Sequence, residues 1–109
     1  MVNGGVVLDF HFMTDVKVND GQNTVKVSPG ATLAEVDIAT QQYGLAVPTG
    51  INSTTGIAGL TLGEGFGWIT RKFGLTIDNL RSARMVTANG EILVVNSEKN
   101  ADIYWAIQG

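Results

Sequence analysis

Residues 45–74 read LAVPTGINSTTGIAGLTLGEGFGWITRKFG, and seven of the chain's fourteen glycines fall within them, at Gly50, Gly56, Gly59, Gly63, Gly65, Gly67 and Gly74. Glycine loses more backbone freedom on folding than any other residue. Such density therefore suits main chain that takes left-handed turns or that something flat must approach closely. Two readings follow from the residues alone: a wall against which a ligand lies, or tight backbone packing in a compact core.

Working outward, the elements on either side predict an α+β fold: a small mixed sheet with two β-hairpins and packed helices. Upstream, Val6-Val7-Leu8-Asp9-Phe10 is an apolar, β-branched run of the kind that fills a buried strand. Val16, Val18, Val25 and Val27 alternate around Asn19-Asp20-Gly21-Gln22-Asn23, which predicts a hairpin with Lys17 and Lys26 on its other face. Ser28-Pro29-Gly30 breaks that strand. Thr32-Leu33-Ala34-Glu35 is a capping box that starts a helix, with Val36, Ala39 and Tyr43 on one face and Gly44 at its end. Leu45-Ala46-Val47 reads as a short buried strand, which Pro48 closes by lacking an amide hydrogen.

Downstream, Asp78 and Asn79 stand close after Gly74, where they can satisfy backbone groups exposed at a turn. Segments 83–87 and 91–95 flank Ala88-Asn89-Gly90, and Asn-Gly is a strong hairpin signal. Asn100 is placed to cap a last helix with Ile103, Ala106 and Ile107 on its face, and Trp105 is expected in the core. Because that helix has barely formed at Gly109, a longer native polypeptide is expected.

Composition narrows the function. With 109 residues, 44% apolar and 16% charged, the chain has the makeup of one small folded domain, and the low charge suggests surface that something else covers. A net charge of -3 without a basic run provides no field for nucleic acid. The most weakly charged stretch, residues 43–65, is too rich in Pro, Gly, Ser and Thr for a membrane-spanning helix, and no basic-then-apolar leader is visible. With no Cys, the chain has no disulfide, no thiolate metal site, no cysteine nucleophile and no cysteinyl cofactor link.

Candidate chemistry is sparse. Gly63-Glu64-Gly65-Phe66-Gly67 has G-x-G-x-G spacing, not the G-x-G-x-x-G of a dinucleotide turn, and Arg71-Lys72 does not complete a Walker phosphate loop. His11 is the only imidazole, and without a second His or a Cys it reads as structural, not as a metal ligand or base. The aspartates are scattered through different elements, so no carboxylate pair is assigned. Trp68 and Phe73 beside Arg71 and Lys72 fit helix packing better than base stacking. No catalytic residue and no metal ligand is expected in this chain.

The runs Pro48-Thr49-Gly50, Thr55-Gly56-Ile57-Ala58-Gly59-Leu60-Thr61-Leu62-Gly63-Glu64-Gly65-Phe66-Gly67-Trp68 and Arg71-Lys72-Phe73-Gly74-Leu75-Thr76-Ile77-Asp78-Asn79-Leu80 resemble a known flavoprotein family. It is the FAD-binding (PCMH-type) domain of berberine-bridge-enzyme-like oxidases, within the wider vanillyl-alcohol-oxidase and p-cresol-methylhydroxylase family. Residues 86–91 and 100–109 resemble its next segments in the same order.

The resemblance implies that residues 1–109 form a partial FAD-binding domain similar to the family's second subdomain. The first phosphate loop and the substrate domain with its catalytic bases would lie outside this chain. By similarity, Ile51, Gly56, Ala58, Gly59, Leu62, Gly65 and Phe66 are FAD neighbours, mostly through backbone atoms. The family's second flavin-attachment Cys aligns near Asn52, so a parent flavin would be non-covalent or singly linked. FAD binding by this fragment alone is expected to be weak or absent. The parent would be an FAD-dependent oxidoreductase acting on an alcohol, sugar or similar small molecule. The alternative is a non-catalytic fragment with no cofactor role that associates with itself or a partner through an open sheet edge.

Overall fold

A computed structural model describes residues 3–109. The chain divides into two compact units: residues up to Val47 with Asn52–Ala58, and Pro48–Ile51 with Gly59–Gly109.

The first unit is built on the hairpin of β1 (Val16–Asn19) and β2 (Thr24–Val27), antiparallel, with Val16 opposite Val27 and Val18 opposite Val25. Asn23 closes the turn in the left-handed region at φ 49°. As expected from the alternation, Lys17 and Lys26 lie opposite each other on the exposed face.

Helix α1 (Leu33–Gln41) packs against β1. Its start follows the capping-box reading: the Glu35 carboxylate accepts from the Thr32 amide at 2.7 Å and from the Thr32 hydroxyl at 2.9 Å. Its buried face is Leu33, Val36 and Thr40, whereas Tyr43, expected on that face, lies exposed beyond the helix end. Spacing of three and four residues from Leu33 makes one stripe, and burying Leu33 and Val36 stabilises by about 1.5–3 kcal/mol each. Thr40 is tolerated there because its hydroxyl donates to the Val36 carbonyl at 2.9 Å.

Two expected strands do not form. Val6-Val7-Leu8-Asp9-Phe10 is irregular and exposed, Val6 to 91%. Leu45-Ala46-Val47 is irregular as well, with the Leu45 amide returning to the Thr40 carbonyl. Apolar, β-branched composition satisfies only the side chains. A strand also needs a neighbour for its backbone groups, and among the described residues neither segment has one.

The second unit holds helix α2 from Gly59 onward (α2 is Ile57–Leu62), the single-turn helix α3 (Thr70–Phe73), β3 (Ala83–Val86), β4 (Ile92–Val95) and α4 (Ala101–Ala106). β3 and β4 form the second expected hairpin, with Ala83 opposite Val95 and Val86 opposite Ile92. In the turn, only Gly90 takes positive φ, at 79°, and its amide reaches the Thr87 carbonyl at 2.9 Å. The α+β class therefore holds, with the strands in two separate two-stranded antiparallel sheets.

Helix α4 lies against β4, with Ile103, Tyr104 and the following Ile107 half-buried and the Tyr104 hydroxyl donating to the Leu80 carbonyl. Of the expected face Ile103 and Ile107 are half-buried, but Ala106 is exposed, and Trp105, expected in the core, is 75% exposed, because Tyr104 and Gln108 complete the inward stripe instead. Asn100 does not cap through its side chain. It sits at φ 52° and sends its amide nitrogen to the Val94 carbonyl at 2.8 Å, tying the helix start to β4.

The Thr32 amide, then the Thr32 hydroxyl, hold the Glu35 carboxyl below its ordinary range. A carboxyl depressed in the folded state contributes stability that is complete above its unfolded pKa and lost as pH falls through the folded one. The stability difference between the native sequence and Glu35→Ala should therefore be full at about pH 7 and vanish by about pH 2. Urea titrations at both values check this, and an equal difference at the two would refute it.

Candidate functional site

The glycine-rich segment does not behave as one wall. Four of its glycines fall into two groups, separated by what a Cβ would meet.

Gly56 and Gly59 face open space: a Cβ added at either would meet nothing within 4 Å beyond its own chain neighbours and helix backbone. They stand at the start of α2, whose first-turn amides have no acceptor within the helix. The Ile57 amide is bonded to the Ala31 carbonyl at 2.9 Å, but those of Ala58 and Gly59 reach no acceptor among the described residues. Before them, residues 52–55 are shaped locally, with Asn52 Oδ1 accepting from the Thr54 amide at 3.2 Å and the Thr54 hydroxyl at 2.9 Å. The Ser53 and Thr55 carbonyls in turn accept from the α1 amides of Ala34 and Leu33. Asn52 is thus a turn-forming residue.

Gly65 and Gly67 are packed against their own unit. A Cβ on Gly65 would lie 2.3 Å from the Thr76 hydroxyl, and one on Gly67 would lie 1.7 Å from the Thr49 carbonyl oxygen. Glu64 and Gly65 are both left-handed, at φ 75° and 74°. Their carbonyls accept from Ile77 at 2.9 Å and Thr76 at 3.0 Å. From Gly65 to Trp68 burial alternates: Gly65 and Gly67 in, Phe66 and Trp68 out. Phe66 is 75% exposed, and Ile51 and Leu62 are exposed as well. Trp68, read from sequence as helix packing, is instead among the most exposed aromatics.

Of the seven residues the resemblance singled out, Gly56 and Gly59 offer bare accessible backbone, Ala58 and Gly59 offer amides, and Ile51, Leu62 and Phe66 offer exposed apolar side chains. Gly65 has its space and its carbonyl used by Thr76 and serves the turn that carries Phe66. Within the first unit the open backbone at Gly56 and Ala58, and within the second the open Gly59 with exposed Ile51, Leu62 and Phe66, are each surfaces of a kind that fits an isoalloxazine or phosphate neighbour. A cleft of about 510 Å³ in the second unit is lined by residues that include Glu64, Asp78 and Trp105 but none of the seven.

His11 pairs with Asp9, its amide to Oδ1 at 3.0 Å and its Nδ1 to Oδ2 at 3.1 Å. The His11 amide, more than its ring, holds the Asp9 carboxyl below its usual range. No group of three His, Asp or Glu residues able to hold a metal occurs among the described residues, and no helix there is long and apolar enough to cross a membrane. Sequence reasoning missed the part played by Thr76 and Ile77. The spacing of Gly74, Asp78 and Asn79 signalled a turn, but its partner across the unit was not visible.

The family described as FAD binding domain matches residues 1–96. An FAD-linked oxidoreductase of Dictyostelium discoideum is 40% identical over 107 residues, 98% of this chain and 24% of that protein. Berberine bridge enzyme-like 3 of Arabidopsis thaliana is 40% identical over 106 residues, 95% of this chain and 20% of that protein. The crystal structure of 6-hydroxy-D-nicotine oxidase from Arthrobacter nicotinovorans superposes with a TM-score of 0.95 at 30% identity, covering 99% of this chain and 24% of that one. Other solved structures with similar chains are xylooligosaccharide and carbohydrate oxidases. The chain thus spans about a quarter of the length of the curated relatives it matches.

The two glycine groups predict opposite responses to a methyl group. Gly67→Ala should destabilise the fold by about 2 kcal/mol or more, since backbone must move. Gly59→Ala, in a helix and facing open space, should stabilise by about 0.5–1 kcal/mol. Urea unfolding of both variants checks this, and equal effects would erase the distinction.

Proposed function

This chain belongs to the FAD binding domain family, and we propose that its residues 51–66 contribute to the flavin site of an FAD-linked oxidoreductase acting on an alcohol, sugar or similar small molecule. The observation that carries the reading is the bare, accessible main chain at Gly56 and Gly59. Simple backbone packing explains Gly65 and Gly67 but leaves Gly56 and Gly59 without a reason.

In such a site Gly56 and Gly59 admit the cofactor to van der Waals distance, and the Ala58 and Gly59 amides are donors for its acceptor atoms. Ile51, Leu62 and Phe66 supply apolar contact, with Gly65 holding the turn that presents Phe66. When bound, the flavin supplies the electron sink that takes hydride from the substrate, and these residues bind and orient it. Asn52 stands where a cysteinyl link would be made, so the flavin is attached singly or not at all. The residues 1–109 account for one part of the domain, with a first phosphate loop and a substrate-binding domain supplied by the rest of the parent protein. The chain alone therefore binds FAD weakly.

A second reading, association of two copies through the open edges of the hairpin sheets, draws on the exposed Val86, Ile92 and Val94 of β3–β4. Sedimentation velocity separates the two, because a monomer at all concentrations removes it.

Titrating FAD into the isotope-labelled chain should shift the amide resonances of Ile51, Gly56, Ala58, Gly59, Leu62 and Phe66, leave the β1–β2 hairpin unmoved, and give a Kd of about 1 mM, some 4 kcal/mol. Shifts confined to other residues, or none, would contradict the assignment. Tight stoichiometric binding would contradict the need for a further phosphate loop.

A further inference from the structure

From the turn that follows Gly74, we infer that Asp78 and Asn79 are positioning residues for the flavin site, acting at a distance by latching the turn that holds Phe66. The inference rests on the flavin-site reading above and adds to it residues that do not touch the cofactor.

The latch is a chain of named contacts within the second unit. Gly74, at φ 82°, lets Asp78 come close, since a Cβ there would lie 2.7 Å from Asp78 Oδ2. That oxygen accepts from the Leu75 amide at 2.8 Å. Asn79 Nδ2 donates to the carbonyls of Phe73 and Leu75, both at 2.9 Å. These three bonds close residues 73–79 into a tight loop ending in the single 3-10 turn Ile77–Asn79. The same loop holds the amides of Thr76 and Ile77 against the carbonyls of Gly65 and Glu64.

Those two backbone bonds are what Glu64 needs. A non-glycine residue at φ 75° is strained, and such conformations persist only where the surroundings over-determine them. The surroundings here are the Thr76–Ile77 amides. Thr76 is itself buried, and its hydroxyl has no partner among the described residues, so its place is dictated by its backbone and not by its side chain. Phe66 follows directly on Gly65, and its outward setting depends on that pair of left-handed residues. Asp78 and Asn79 thus fix a side chain twelve residues upstream of Asp78 without meeting it.

The test compares Asp78→Ala, which removes the acceptor, with Asp78→Asn, which keeps an oxygen for the Leu75 amide. Hydrogen exchange of the chain without FAD should show the Thr76 and Ile77 amides exchanging about three- to tenfold faster in Asp78→Ala. Protection in Asp78→Asn and in the β3–β4 amides of every variant should be unchanged. In FAD titration, the shift at Phe66 should fall in Asp78→Ala and return in Asp78→Asn. Unchanged exchange at Thr76 and Ile77 in Asp78→Ala overturns the latch, and faster exchange with an undiminished Phe66 shift overturns its positioning role. Faster exchange together with no FAD-induced shift in the native sequence overturns the flavin-site reading itself. If Asp78→Ala fails to fold, Asn79→Ala, which removes the other two bonds, decides the same comparison.

Discussion

Main chain runs against main chain in the second unit, and the side chains there are arranged around that approach. The Gly67 α-carbon leaves so little room beside the Thr49 carbonyl that a methyl group would sit at bonding distance, and Gly65 is nearly as closed by Thr76. Where side chains are excluded inward, they can only go outward. Phe66 and Trp68 alternate with the two buried glycines and stand in the open. Exposure of two aromatics is therefore a consequence of backbone packing, and the protein covers neither with its own described residues.

A different use of glycine operates at Gly56 and Gly59. No described residue comes within 4 Å of a Cβ built on either, beyond chain neighbours and helix backbone, and a Gly inside or at the start of a helix costs stability that Ala would not. Packing supplies no return for that cost. In the proposed site the return is room for a closely approaching cofactor, which in a family of FAD binding domains is FAD. The glycine count alone therefore mixes two physical roles, one concerned with how the chain folds and one with what it leaves uncovered.

The readable parts of the fold were those decided by local chemistry. Alternating valines around an Asn-Asp-Gly turn, Asn89-Gly90 between two apolar runs, the Thr32–Glu35 box and the Asp78–Asn79 turn all depend on residues within a few positions of each other, and all are present. The parts that failed depend on partners far along the chain. Residues 6–10 and 45–47 have strand composition but no neighbouring strand among the described residues. Trp105 is apolar enough to read as core, but the phase of its helix puts it outside, and Tyr43, which reads as part of a helix face, falls beyond the end of α1. Asn100 had the right identity for a cap, but β4 offered it a carbonyl instead. Of the site, the sequence resemblance named the segment. Which of its glycines are open and which are filled could be seen only once Thr49 and Thr76 were in place.

The central claim is that bare main chain at Gly59 exists to be approached by a flavin, and the most direct measurement is the FAD response of Gly59→Leu set against its thermal stability. A Cβ beside Gly59 meets nothing within 4 Å beyond chain neighbours and helix backbone, so the melting temperature should be unchanged or raised, while FAD-induced shifts at Ala58 and Leu62 should disappear. A variant that folds as before and responds to FAD as strongly as the native sequence would contradict the account.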